Sequence, residues 1–168
     1  MQEQIQLSQK ERMLLSDDKK QEDLCVAKYK NYSGQAEDPL LKKLFTTISS
    51  EEQHHYDMID QMLQGKQPDM AEPKQSEQSY QAPPSKQQEA SKTPQSNFQG
   101  AMGNTGDKML CNDLLATEKF VSGTYDTGIF EAANPTVRQT LQHIQRDEQR
   151  HGEELFNYMH SHGMYEVQ

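Results

Sequence analysis

The sequence predicts an all-α protein, a four-helix bundle assembled from two copies of one helical hairpin. Three observations predict it. Sliding the 168-residue chain over itself by 96 positions aligns many identical residues. Each copy carries one proline at the same place, Pro39 and Pro135. The apolar residues on either side of those prolines recur in steps of three and four, a helical seam rather than a strand.

The 96-residue offset places Met13 and Leu14 on Met109 and Leu110, Asp17 on Asp113, Glu22 on Glu118, and Tyr29 on Tyr125. Further on it places Ile48 on Ile144, Glu52 on Glu148, Gln53 on Gln149, and His55 on His151. A fixed internal period of this kind marks a duplicated structural unit. The first helix has the inward stripe Leu15, Asp18, Glu22, Cys25, Tyr29, Ser33, and the third has Cys111, Leu114, Glu118, Val121, Tyr125, Ile129. Asp38-Pro39 and Asn134-Pro135 open the second and fourth helices. Asp or Asn caps free backbone N–H groups, and Pro is well tolerated at the first helical position. The second helix then runs Leu41, Phe45, Ile48, Ile59, Met62, and the fourth Val137, Leu141, Ile144, Leu155, Met159. Gly65 and Gly163 are the expected stops.

These signals divide the chain into a first hairpin (residues 1–65), a linker (66–106) and a second hairpin (107–168) of the same bundle. Five of the seven prolines fall in the linker, among Gln, Ser, Lys and Glu, with almost no Ile, Leu or Val. Such a composition buries too little apolar surface to offset ordering entropy, so a flexible crossover tether is expected. Each hairpin alone has a half-exposed apolar face, and two hairpins bury those faces against each other.

Composition limits function. The formal net charge is −9 and no dense Lys/Arg cluster occurs, which argues against nucleic-acid binding. No apolar run reaches membrane-spanning length, and the first residues lack a signal-peptide layout, so a chain made in the cytoplasm is expected. Cys25 and Cys111 form no C-x-x-C pair and read as small buried hydrophobes.

The apolar stripes are interrupted at one level. Glu52 lies four residues after Ile48 and His55 four before Ile59; Glu148 and His151 stand identically to Ile144 and Leu155. Glu22 and Glu118 lie on the inward stripes of their helices. Glu22 to Glu52 is 30 residues and Glu118 to Glu148 is also 30, which sets both groups at one height about a pseudo-twofold axis. Four carboxylates and two imidazoles therefore converge in the core, where unpaired like charges cost several kcal/mol each. The lysines and arginines fall mostly on other faces. Two divalent cations would neutralise four carboxylates, and mixed oxygen and imidazole donors suit iron, manganese or zinc. The expected ligands are Glu22, Glu52, His55, Glu118, Glu148 and His151. The alternative is a retained but empty site whose carboxylates are protonated or hydrated. Tyr29 and Tyr125, two turns beyond their Glu, are placed to hydrogen-bond site carboxylates or to serve as redox groups. His54, His143, His160 and His162 lack a partnered Glu in the seam and read as surface residues.

This six-residue pattern resembles the ferritin-like superfamily, especially bacterioferritins and rubrerythrins. The resemblance implies a diiron-type centre on the same six residues. The second hairpin is also similar to the spore coat protein F family of endospore-forming bacteria. Asn112-Asp113-Leu114-Leu115 with Lys119, Tyr125, Ala133-Asn134-Pro135, Arg138, Tyr158-Met159, Gly163 and Tyr165 carry that likeness. It implies a structural protein of the spore coat, with other coat proteins as partners. The ligand set implies a rival, a di-metal oxidoreductase: a ferroxidase, a peroxidase or a manganese catalase-like enzyme. No rubredoxin-type Cys pairs accompany it. A long tether also lets hairpins exchange between two chains, so a homodimer is conceivable.

Overall fold

A computed structural model describes residues 4–71 and 105–168. They form four helices: α1 (Gln9–Gln35), α2 (Pro39–Leu63), α3 (Thr105–Glu131) and α4 (Pro135–Ser161). No strand occurs among the described residues. Most of the expected linker, residues 66–106, lies outside them. The helix boundaries follow local chemistry. Ser8 caps α1 in a capping box with Glu11. Asp38 accepts from Leu40 N–H, and Asn134 from Thr136 and Val137 N–H, each with Pro in the first turn. Gly65 (φ 77°) and Gly163 (φ 67°) take up the left-handed conformation just past the ends of α2 and α4.

The hairpins α1–α2 and α3–α4 pack into one bundle, with α1 antiparallel to α3 and α2 antiparallel to α4. Along the first pair, Lys10 meets Glu131, Gln21 meets Thr124, and Tyr32 meets Asp113. Along the second, Glu51 meets His151 and His55 meets Asp147. The end of α2 and the start of α3 consequently lie at opposite ends of the bundle. Each hairpin also clamps the other's turn. Asp107 of α3 accepts from the N–H groups of Glu37 (2.9 Å) and Asp38 (3.0 Å) at the α1–α2 turn. Its counterpart in the repeat, Glu11 of α1, accepts from Asn134 N–H (2.7 Å) at the α3–α4 turn.

Two apolar layers fill the interior. One contains Leu15, Met58, Ile59, Met62, Val121, Leu141 and Ile144. The other contains Leu41, Phe45, Ile48, Leu114, Leu155 and Met159. Full burial of such side chains is worth about 1.5–3 kcal/mol each. Cys25 and Cys111 are free thiols buried in these layers. The polar interruption read in the sequence lies between the layers, held by apolar residues on both sides.

Candidate metal centre

Glu22 on α1, Glu52 and His55 on α2, Glu118 on α3, and Glu148 and His151 on α4 meet in the middle of the bundle. All six are buried, none more than 3% exposed. The i, i+3 spacing places each Glu–His pair one turn apart on the core face of its helix.

Their atoms divide into two overlapping groups. Glu22, Glu52, His55 and Glu148 offer ligand atoms within 4.8 Å of one another, as do Glu52, Glu118, Glu148 and His151. Glu52 and Glu148 belong to both groups. Glu52 turns Oε2 to His55 Nδ1 (3.2 Å) and Oε1 to His151 Nδ1 (3.3 Å). Glu148 turns Oε1 to His55 Nδ1 (3.1 Å) and Oε2 to His151 Nδ1 (3.7 Å). Each of these carboxylates spans the two positions, while Glu22 and Glu118 each serve one. The imidazole rings lie 5.7 Å apart.

The donor set fits two divalent cations. Glu22 Oε2, Glu52 Oε1, Glu118 Oε2, both oxygens of Glu148 and His151 Nδ1 are buried without a hydrogen-bond partner. Buried polar atoms are normally satisfied, and such a concentration of unsatisfied ones in one place suits a metal ion. Both imidazoles face the carboxylates through Nδ1 and leave Nε2 for other contacts.

Those Nε2 contacts involve residues that the seam reading did not single out. His55 Nε2 lies 3.2 Å from Asp147 Oδ2 on α4, and His151 Nε2 lies 2.7 Å from Glu51 Oε2 on α2. An N–H bonded to an outer carboxylate fixes the tautomer and orientation of a ligating imidazole. Glu51 and Asp147 are repeat counterparts, each directly preceding a Glu-x-x-His, and that acidic doublet was the signal available in the sequence. Arg150, half-buried, contacts Glu51 (3.3 Å), Asp147 (3.3 Å) and Glu154 (3.6 Å), so a cation does reach the flank of the cluster. The tyrosines cross between hairpins. Tyr29 donates to Glu118, and Tyr125 donates to Glu22.

Of the remaining histidines, His160 is exposed, and His54, His143 and His162 are half-buried. His143 lies 3.7 Å from Asp147. His162 stacks on Tyr158 and lies 3.5 Å from Asp38.

The electrostatics of the cluster are those of charges confined in a dry core. Burial would push the pKa of His55 down, but Asp147, Glu148, Glu22 and Glu52 around it outweigh burial and hold it well above the ordinary imidazole range. His151 is raised the same way, against burial, by Glu148, Glu51 and Glu52. Burial, together with the charges of Glu52 and Glu148, raises Glu22 and Glu118 well above the usual carboxylate range. Burial works upward on Glu52 and Glu148 too, but the two imidazoles bring both below that range.

Comparison with known families bears on both halves. The rubrerythrin family model matches residues 15–107, which take in α1 from Leu15 onward, α2 and the first turn of α3. The Coat F domain model matches residues 106–168, essentially α3 and α4. No curated protein and no solved structure matches the chain. No helix among the described residues is long and apolar enough to cross a membrane.

Proposed function

The chain belongs to the rubrerythrin family, and from that premise we propose that it is a spore coat protein whose bundle binds two divalent metal ions, iron or manganese. The observation that carries the metal reading is the cluster of unsatisfied carboxylate oxygens turned toward two imidazole Nδ1 atoms in the middle of the bundle. Glu22, Glu52, Glu148 and His55 would hold one ion; Glu118, Glu52, Glu148 and His151 would hold the other. Bound there, the ions would supply Lewis-acid and redox chemistry. Glu51 and Asp147 orient the imidazoles, and Tyr29 and Tyr125 fix the rotamers of Glu118 and Glu22. The coat assignment is supported by the Coat F domain match over the second hairpin.

The metal reading is tested by purifying the protein, measuring bound iron, manganese and zinc, and repeating with the double variant Glu148→Ala, His151→Ala. About two ions per chain, lost in the variant, is expected for a di-metal bundle. Unchanged metal content in the variant would sink the assigned site. The coat reading is tested by fractionating spores and probing the coat extract with an antibody. Absence from that extract would count against it.

A second reading, a di-metal oxidoreductase, is supported by a cleft that reaches Glu118 and Glu148 from the surface. The loaded protein would then break down hydrogen peroxide or oxidise ferrous iron. No turnover of either leaves the binding role alone.

A further inference from the structure

The two hairpins are copies, but their outer faces beside the carboxylate layer differ. Between α3 and α4 a cleft of about 520 Å³ runs in to Glu118 and Glu148, with Lys119, Gly123, Asp126 and Gly152 among its walls. At the matching place between α1 and α2, Tyr56 stands where the second hairpin has Gly152, and Lys19 where it has Leu115. Lys19 Nζ sits 5.0 Å from the centre of the Tyr56 ring and 2.6 Å from Asp60, so those side chains lie together over the position.

The bonds between the paired helices follow the same contrast. Ser49 donates directly to the Val26 carbonyl at 3.2 Å across α1 and α2. Its counterpart Gln145 makes the matching bond to the Ser122 carbonyl at 2.9 Å with a longer side chain, which suits a wider gap between α3 and α4. The glycines leave the gap open. A Cβ on Gly152 would make only ordinary contacts, 3.8 Å to Leu115 and 4.0 Å to Glu118, and one on Gly123 would meet nothing within 4 Å. Neither glycine has the left-handed backbone that would require it.

The chemistry of the cleft selects its occupant. Glu118, Asp126 and Glu148 outnumber Lys119 along it. Glu118 and Glu148 line it, and Glu118 Oε2 and both oxygens of Glu148 are buried without a hydrogen-bond partner. Six hydrating waters occupy about 180 Å³ at about 30 Å³ each, so the volume of the cleft, about 520 Å³, suffices for a hydrated ion.

We infer that this cleft is the port through which divalent cations reach the centre, and that Tyr56 and Lys19 keep the opposite face closed. The inference rests on the metal-binding reading above. The test is the rate at which metal-free protein takes up Co(II), followed by its visible absorption, together with the final stoichiometry. Gly152→Tyr gives the open face the side chain of the closed one. Uptake slower by about tenfold or more is expected, equivalent to an added barrier of about 1.4 kcal/mol, with the final stoichiometry unchanged. Gly123→Leu narrows the cleft one helical face away and supplies a second variant if the first fails to fold; it too slows uptake. Tyr56→Gly added to Gly152→Tyr opens the other face, and uptake recovers toward the unaltered rate; no recovery overturns the role given to Tyr56. Uptake at the unaltered rate in Gly152→Tyr, or in Gly123→Leu where only that variant folds, overturns the port. No uptake by the unaltered protein overturns the metal reading and the port with it.

Discussion

Loading the centre with two divalent ions should expel about four protons near neutral pH, because the ligands must surrender the protons that otherwise balance the core. The number comes from the groups themselves. His55 and His151 have pKa values raised well above the ordinary range, which favours a proton on each. Glu22 and Glu118 are raised as well, so they are the pair on which the two further protons that neutralise the cluster would sit. Glu52 and Glu148 are held ionised. Two imidazolium charges then offset two carboxylates, and the six-residue cluster is neutral. Two divalent ions neutralise four ionised carboxylates only if both imidazoles and both protonated carboxyls give up their protons, one each. Titration calorimetry with Mn(II) at pH 7, in buffers of different ionisation enthalpy, measures the count as a slope. A slope near four agrees with this balance. A slope of one or less would refute the protonation pattern even if metal binds.

The same groups set the pH dependence of the metal-free protein. The raised His55 and His151 contribute stability that is present below the unfolded imidazole value and lost as pH rises through their folded values; the raised Glu22 and Glu118 also cost stability as pH rises above the ordinary carboxylate range. Thermal melts should therefore show the metal-free bundle losing stability from mildly acidic toward alkaline pH, and a flat or rising profile would contradict this. Glu51→Ala removes the carboxylate 2.7 Å from His151 Nε2 and should weaken metal binding about 10–100-fold in a chelator competition. Tyr125→Phe deletes the donor to buried Glu22 and should lower stability by about 1–3 kcal/mol in urea unfolding of the metal-free protein. Asp107→Ala strips the acceptor from two turn N–H groups and should cost about 2–3 kcal/mol by the same assay, with the far-UV helical signal retained.

Much of the fold is legible in the sequence because its signals are local. The Asp38-Pro39 and Asn134-Pro135 caps, the glycine stops and the three-and-four stripes each depend on a few neighbouring residues, and the helices begin and end where they indicate. The inward positions of Glu22, Glu52, His55, Glu118, Glu148 and His151 were legible for the same reason. Glu51 and Asp147 were harder to find. Each sits at the edge of its helix's inward face and looks like a solvated charge until the opposite helix brings an imidazole against it. Arg150 was hidden similarly, since its guanidinium reaches the cluster's flank through a long stem.

By itself, the sequence determined two equal hairpins with their acidic and histidine groups at one height. That follows from periodicity along a helix and from the 96-residue offset, both properties of a single strand of chain. Only the tertiary structure decided how the groups are shared. Glu52 and Glu148 span both positions, each tyrosine serves the other hairpin's glutamate, and each outer carboxylate holds the imidazole of the facing helix. Those pairings depend on which helix packs beside which. Tertiary packing also made the two copies unequal. Tyr56 and Gly152 occupy the same place in the repeat, yet only a cleft between packed helices turns that difference of one side chain into a closed face and an open one.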